Sequence, residues 1–145
     1  MRNLLVIALV IAVAACAAKP AVVSWVTSGT ELNERIEILP SGHVSYTTTL
    51  NGTKQKDEFV ILSSDQVEEL DEVFRNQRVC ELAHDPSYTP GESEGQTTLV
   101  LAFPDQHCTV VLWNTEWERG RAQSITETMR SMRPLHVAPG RVNTP

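Results

Sequence analysis

The spacing between apolar positions changes along the chain, and each change marks an element. Ala21-Val22-Val23-Ser24-Trp25-Val26-Thr27 is β-branched and aromatic enough for a strand, which Ser28-Gly29-Thr30 breaks. Arg35-Ile36-Glu37-Ile38-Leu39 alternates with period two, Pro40-Ser41-Gly42-His43 turns, and Val44 to Leu50 resumes the alternation. Asn51-Gly52 predicts a second tight turn, because both residues tolerate the positive φ of a type I′ hairpin. Glu58 to Leu62 reads as the next strand. The period then lengthens. Val67, Leu70, Val73 and Phe74 fall on one helical stripe, while Glu68, Glu69, Asp71 and Glu72 face water. Ser63 with Gln66 forms a capping box and Leu62 with Val67 a hydrophobic staple, so a helix is predicted from Ser64 to about Arg78.

His84 to Gln96 carries two prolines and two glycines and reads as a long polar loop, a place where loops are either functional or mobile. Thr97 to Phe103 and Cys108 to Trp113 form another hairpin across Pro104-Asp105-Gln106-His107. Ala122, Ile125, Met129 and Met132 recur at three- and four-residue steps and predict a smaller helix over Gly120 to Arg133. Pro134, Pro139 and Pro145 predict a disordered tail over 134–145. The expected architecture is α+β: an antiparallel sheet of about five or six strands against one main helix, with a short C-terminal helix, in a single domain over 21–133.

The amino terminus follows a different rule. Arg2 precedes an unbroken apolar run from Leu4 to Ala15, and Val13-Ala14-Ala15-Cys16 closes it. A charged start, a short apolar segment and small residues before a cut describe a secretory signal peptide. Leu4 to Ala18 supplies fifteen residues before Lys19-Pro20, short of the ~20 that a membrane-spanning helix needs. Val13-Ala14-Ala15-Cys16 resembles the bacterial lipobox, with Val13 where leucine is commoner. The resemblance implies that 1–15 is removed as a lipoprotein signal peptide and that Cys16, first residue of the mature chain, carries three fatty chains of the palmitate class. One chain binds a bilayer reversibly and two or more hold it firmly. Residues 16–20 would be the lipidated tether. Ala17 stands where an Asp retains such proteins at the inner membrane, so the expected address is the cell envelope, at the outer membrane facing the periplasm. Ala12-Val13-Ala14 also fits a small-x-small site, which leaves soluble secretion open as an alternative.

Charge and cysteine content sharpen that address. Loss of Arg2 with the signal would move the formal net charge from −6 to −7, and such acidity argues against nucleic acid as a partner. Asp57 to Glu118 holds fourteen acidic residues against Arg75 and Arg78, whereas Arg119 to the end holds five arginines against Glu127. The two regions either lie side by side or leave a basic face for a partner. With Cys16 lipidated, Cys80 and Cys108 remain as an even pair in an oxidising compartment, a structural disulfide with two buried thiols as the other reading.

Candidate chemistry is sparse. There is no G-x-S-x-G elbow and no paired-histidine metal motif, so no catalytic residue, metal or small-molecule cofactor is assigned. His84 and Asp85 with Glu92 and Glu94 could gather a cation, but without EF-hand spacing. Glu116 and Glu118 flank Trp117, which reads as a solvated turn with Trp117 packed beneath it; a small envelope hydrolase built on these carboxylates is the alternative function. Trp113 and Trp117, together with His84 and Tyr88 of the long loop, are the candidate partner-binding residues. Val23 to Gly29, Ile36 to Val44 and the helix from Leu62 to Leu70 look like small bacterial α+β domains that include inhibitors of secreted metallopeptidases. Lysozyme-inhibitor lipoproteins share the address but are mostly all-β, against the helix after Ser63. The expected function is a non-enzymatic, lipid-anchored binding or inhibitor-type module that meets another envelope protein.

Overall fold

A computed structural model of the chain describes residues 20–133. The signal peptide expected over 1–15, Cys16 and the tail expected over 134–145 lie outside the described residues. Six strands make one antiparallel sheet: β1 Val23–Thr27, β2 Leu32–Ile38, β3 His43–Leu50, β4 Thr53–Ile61, β5 Gln96–Phe103 and β6 Gln106–Trp113. Their spatial order is β4-β3-β2-β1-β5-β6. β1 is therefore the hub, with Trp25 opposite Ile36 on one side and Leu99 on the other. Helices α1 (Ser64–Asn76), α2 (Asn114–Trp117) and α3 (Gly120–Ser131) complete the α+β architecture expected from the pattern.

Local chemistry sets the hairpins. Asn51 and Gly52 take positive φ, 49° and 76°, and the strands pair from Leu50–Thr53 onwards. β4 thus begins five residues earlier than the strand expected from Glu58, because a two-residue turn leaves no slack. Gly42 sits at φ 84°, and a Cβ there would lie 2.1 Å from the Leu62 carbonyl oxygen. Only glycine lets the β2–β3 turn lie against the entry to α1.

The helix signals are realised side chain by side chain. Gln66 N–H donates to Ser63 Oγ at 3.2 Å, and Ser63 N–H donates to Gln66 Oε1 at 2.9 Å. α1 ends at Asn76, short of Arg78, because Arg78 adopts the left-handed conformation and starts a 3₁₀ turn over Val79–Glu81. That reversal buries Val79 completely and brings Cys80 to Cys108 of β6, where the two form a disulfide. The core lies between the sheet and the helices. Ile36, Ile38, Leu99 and Leu101 meet Phe74 of α1 and Ile125 and Met129 of α3, all nearly or fully buried. Trp25 and Trp117 pack edge to face with ring centres 4.8 Å apart.

The acidic and basic regions meet where Arg130 pairs with Glu118. Arg133 instead donates to Glu34 of β2 at 2.6 Å, and Arg75 pairs with Asp71 at 2.8 Å within the acidic region. Glu34 is buried, and Tyr46 donates to its second oxygen at 2.9 Å. Burial, then that bond to a carboxylate, pushes the Tyr46 hydroxyl up to about 12.

Candidate binding site

The segment from Ala83 to Gly95 has no regular secondary structure, yet its backbone is heavily bonded. Two carboxylates do this. Glu116, on the single turn of α2, accepts Asp85 N–H at 2.8 Å on one oxygen and Trp113 N–H at 2.9 Å on the other. His84 Nδ1 lies 2.9 and 3.0 Å from the same two oxygens. Burial pushes the Glu116 carboxyl up, but these backbone bonds and His84 outweigh it and leave it below its ordinary range. Glu94, inside the loop, accepts Tyr88 O–H at 2.5 Å, Gly91 N–H at 3.2 Å and Thr115 N–H at 2.8 Å. The Tyr88 bond is the chief reason that its carboxyl is pulled down to about 2.

Smaller ties finish the framework. Asp85 accepts both the N–H and the O–H of Ser87, at 2.8 and 2.7 Å, which holds its carboxyl below the usual range. Asn114 N–H donates to the Gly95 carbonyl at 3.0 Å. A Cβ on Gly95 would fall 1.6 Å from the Ser28 carbonyl oxygen, so the loop closes onto the end of β1 only because Gly95 has no side chain. The Cys80–Cys108 disulfide pins the chain just before the loop to β6. Within the loop the N–H groups of Asp85, Ser87, Tyr88, Gly91 and Glu94 are hydrogen-bonded. The loop is braced.

The four candidate residues separate accordingly. His84 is exposed, with one ring nitrogen held by Glu116. Tyr88 is half-buried, bonded to Glu94 and overlain by the Arg119 guanidinium at 5.5 Å from its ring centre. Trp113 is half-buried and lines a hollow of about 350 Å³ with Glu92, Glu94 and Thr30. Trp117 does not belong with them. Only 1% of it is exposed, and its indole N–H donates to the Thr97 carbonyl at 2.9 Å, so it is a core residue and its place among the partner-binding residues is corrected. The reason is local: the α2 turn, absent from the sequence-based reading, rolls Trp117 under the sheet onto Trp25.

Four of the carboxylates weighed for hydrolysis or cation binding, Asp85, Glu94, Glu116 and Glu118, are engaged in other work. Glu116 and Glu94 each hold three donors, and Glu118 pairs with Arg130. Their bracing role gave no sequence signal, because the main-chain donors that join separate segments are distant: Asp85 lies 31 residues from Glu116 and Thr115 lies 21 from Glu94. A second surface lies on the face of the sheet that carries Ser45, Glu37 and Ser24, where Phe59, Ile61, Val100 and Val111 are exposed. Among the described residues no helix is long and apolar enough to cross a membrane. The chain matches no protein-family model and no curated protein sequence.

Proposed function

We propose that the chain is a lipid-anchored protein of the cell envelope that acts by binding, without catalysing a reaction, and that it meets another envelope protein through the braced loop over 83–95. The observation that carries this reading is the use of Glu94 and Glu116 to tie the loop to β6 and α2: Glu116 accepts Asp85 N–H of the loop and Trp113 N–H, and Glu94 accepts Gly91 N–H of the loop and Thr115 N–H. Charged acceptors aimed at backbone make a polar loop stiff in advance of any encounter. A loop already ordered loses little entropy when a partner seats on it, which is where affinity is otherwise lost. Exposed His84, Pro86, Ser87 and Thr89 are then displayed on a fixed frame, the arrangement an inhibitor-type module requires. Val13-Ala14-Ala15-Cys16 supports the anchor, and a disulfide suits an oxidising compartment.

Two comparisons test it. Fractionation of the wild-type protein beside Cys16→Ser should show the first in the membrane fraction and the second released; identical fractionation overturns the anchor. Mild crosslinking in intact envelopes should join the wild-type chain to one protein, and Ser87→Arg, a bulky change on the exposed loop, should abolish the crosslink. A crosslink indifferent to Ser87→Arg overturns the loop as the contact surface. Hydrolysis of an envelope substrate that disappears in Glu116→Gln would replace the binding reading with an enzymatic one.

A further inference from the structure

Beside the braced loop, where it faces the start of α3, lies a cavity of about 220 Å³. Leu82, Leu112 and Ala122 give it apolar walls, and Tyr88, Arg119 and Arg121 stand on its rim. Two acids also border it, but both are already engaged within the protein. Glu116 holds its three donors, and Asp85 holds both groups of Ser87. The arginines hold no such hydrogen bonds to an acid, although the charge of Arg119 is felt by nearby Asp85. Arg119 lies over the Tyr88 ring, and Arg121 donates only a 3.4 Å bond to the Gln77 carbonyl. Among the described residues, neither has a carboxylate within ion-pair distance. A guanidinium stacked on a ring still presents the N–H groups of its edge, and those suit a carboxylate in two-point geometry.

We infer that this cavity binds the free C-terminus of a peptide, with the carboxylate on Arg119 and Arg121 and a small apolar last side chain against Leu82, Leu112 and Ala122. Size decides between possible occupants. Sites for drug-sized molecules start near ~300 Å³, so this one admits a chain end and not a whole ligand. Ala122 on the wall, buried to 4% exposure, keeps the apolar end narrow. The inference rests on the binding reading of the neighbouring loop and gives that reading a ligand class.

The test is an NMR titration of the purified protein with three probes: N-acetyl-alanyl-alanine, its C-terminal amide, and octanoate. The free acid should shift the amide signals of Tyr88, Arg119, Arg121 and Ala122 saturably, and the amide should bind about tenfold more weakly or worse. Arg119→Gln and Arg121→Gln should each weaken the acid about tenfold, with no loss of folding, because both side chains are at the surface. Ala83→Trp, which fills the mouth without touching charge, should block binding. Equal binding of acid and amide, no saturation, or tighter binding of octanoate overturns the inference. If the envelope crosslink is lost in Ser87→Arg yet unchanged in both arginine variants, this inference falls and the loop reading stands. Saturable binding of the acid without any envelope crosslink has the opposite meaning.

Discussion

β1 and β4 belong to the same sheet and experience different surroundings. β1 has a strand on either edge and buries Val23 and Trp25 to 0% and 4% exposure. β4 has one neighbour, and at its end Phe59, Val60 and Ile61 are 59%, 37% and 75% exposed. The difference extends to what surrounds each strand. Towards β5 and β6 the sheet is tied to the 3₁₀ turn by a disulfide, to α2 by Trp117 and to the long loop by two carboxylates. Towards β4 it has the β3–β4 ladder, with a register shift between Thr48 and Thr49, and the pair of Arg133 with Glu34 of β2. Stability is not spread evenly through a fold, and opening starts where buried contacts are fewest. The β5–β6 side can hold a loop rigid because its cross-links, the disulfide and the bonds of Glu94 and Glu116, join residues far apart in sequence.

The comparison is most sharply broken at Trp117. Trp117→Ala removes a buried ring and the donor to Thr97, and should cost about 3–5 kcal/mol in urea unfolding. A loss below about 1 kcal/mol would mean that the β5–β6 side is not the stable one. Replacing both Cys80 and Cys108 by Ser opens a loop with a sequence separation of 28 and should cost about 3.5 kcal/mol in the chain-entropy account, with amide exchange rising first in 83–95. Tyr46→Phe removes one donor from buried Glu34 and should cost about 1 kcal/mol. The sign of its pH dependence is fixed. A hydroxyl raised to about 12 contributes fully below its ordinary value of 10.0 and loses that contribution as pH rises through 12, which absorbance titration of the tyrosines can follow.

Acid acts on the loop in the opposite sense. Glu94, lowered from 4.5 to about 2, braces the loop fully above pH 4.5 and releases it as pH falls through 2. The amide signals of Thr115 and Gly91 should move with that midpoint in the wild type and stay flat in Glu94→Gln. The smallest effect belongs to β4: Phe59→Ser should change stability by no more than about 0.5 kcal/mol, because its ring is mostly in water. A larger loss would show that the open face is covered in the working protein.

Much of the fold was legible without coordinates. Local pattern placed all six strands, β1 by its β-branched and aromatic residues and β2 and β3 by alternation, while Asn51-Gly52 announced its hairpin and Ser63 with Gln66 marked the start of α1, because each signal is carried by neighbours in sequence. The pairing of Cys80 with Cys108 was expected on setting Cys16 aside for lipid, with two buried thiols as the other reading, and the disulfide is what forms. The site was far less legible. His84 and Tyr88 were marked by lying in a polar loop, but Glu94, Glu116, Arg119 and Arg121 drew no notice as members of one place. Their roles depend on main-chain donors and apolar walls that arrive from separate segments only when β1 pairs with β5 and α2 turns Trp117 inward. Sequence determined the elements, since propensity, capping and turn chemistry act over a few residues. Tertiary structure decided which carboxylates brace and which arginines face a cavity, since those outcomes are set by distances between parts of the chain that the local pattern does not encode.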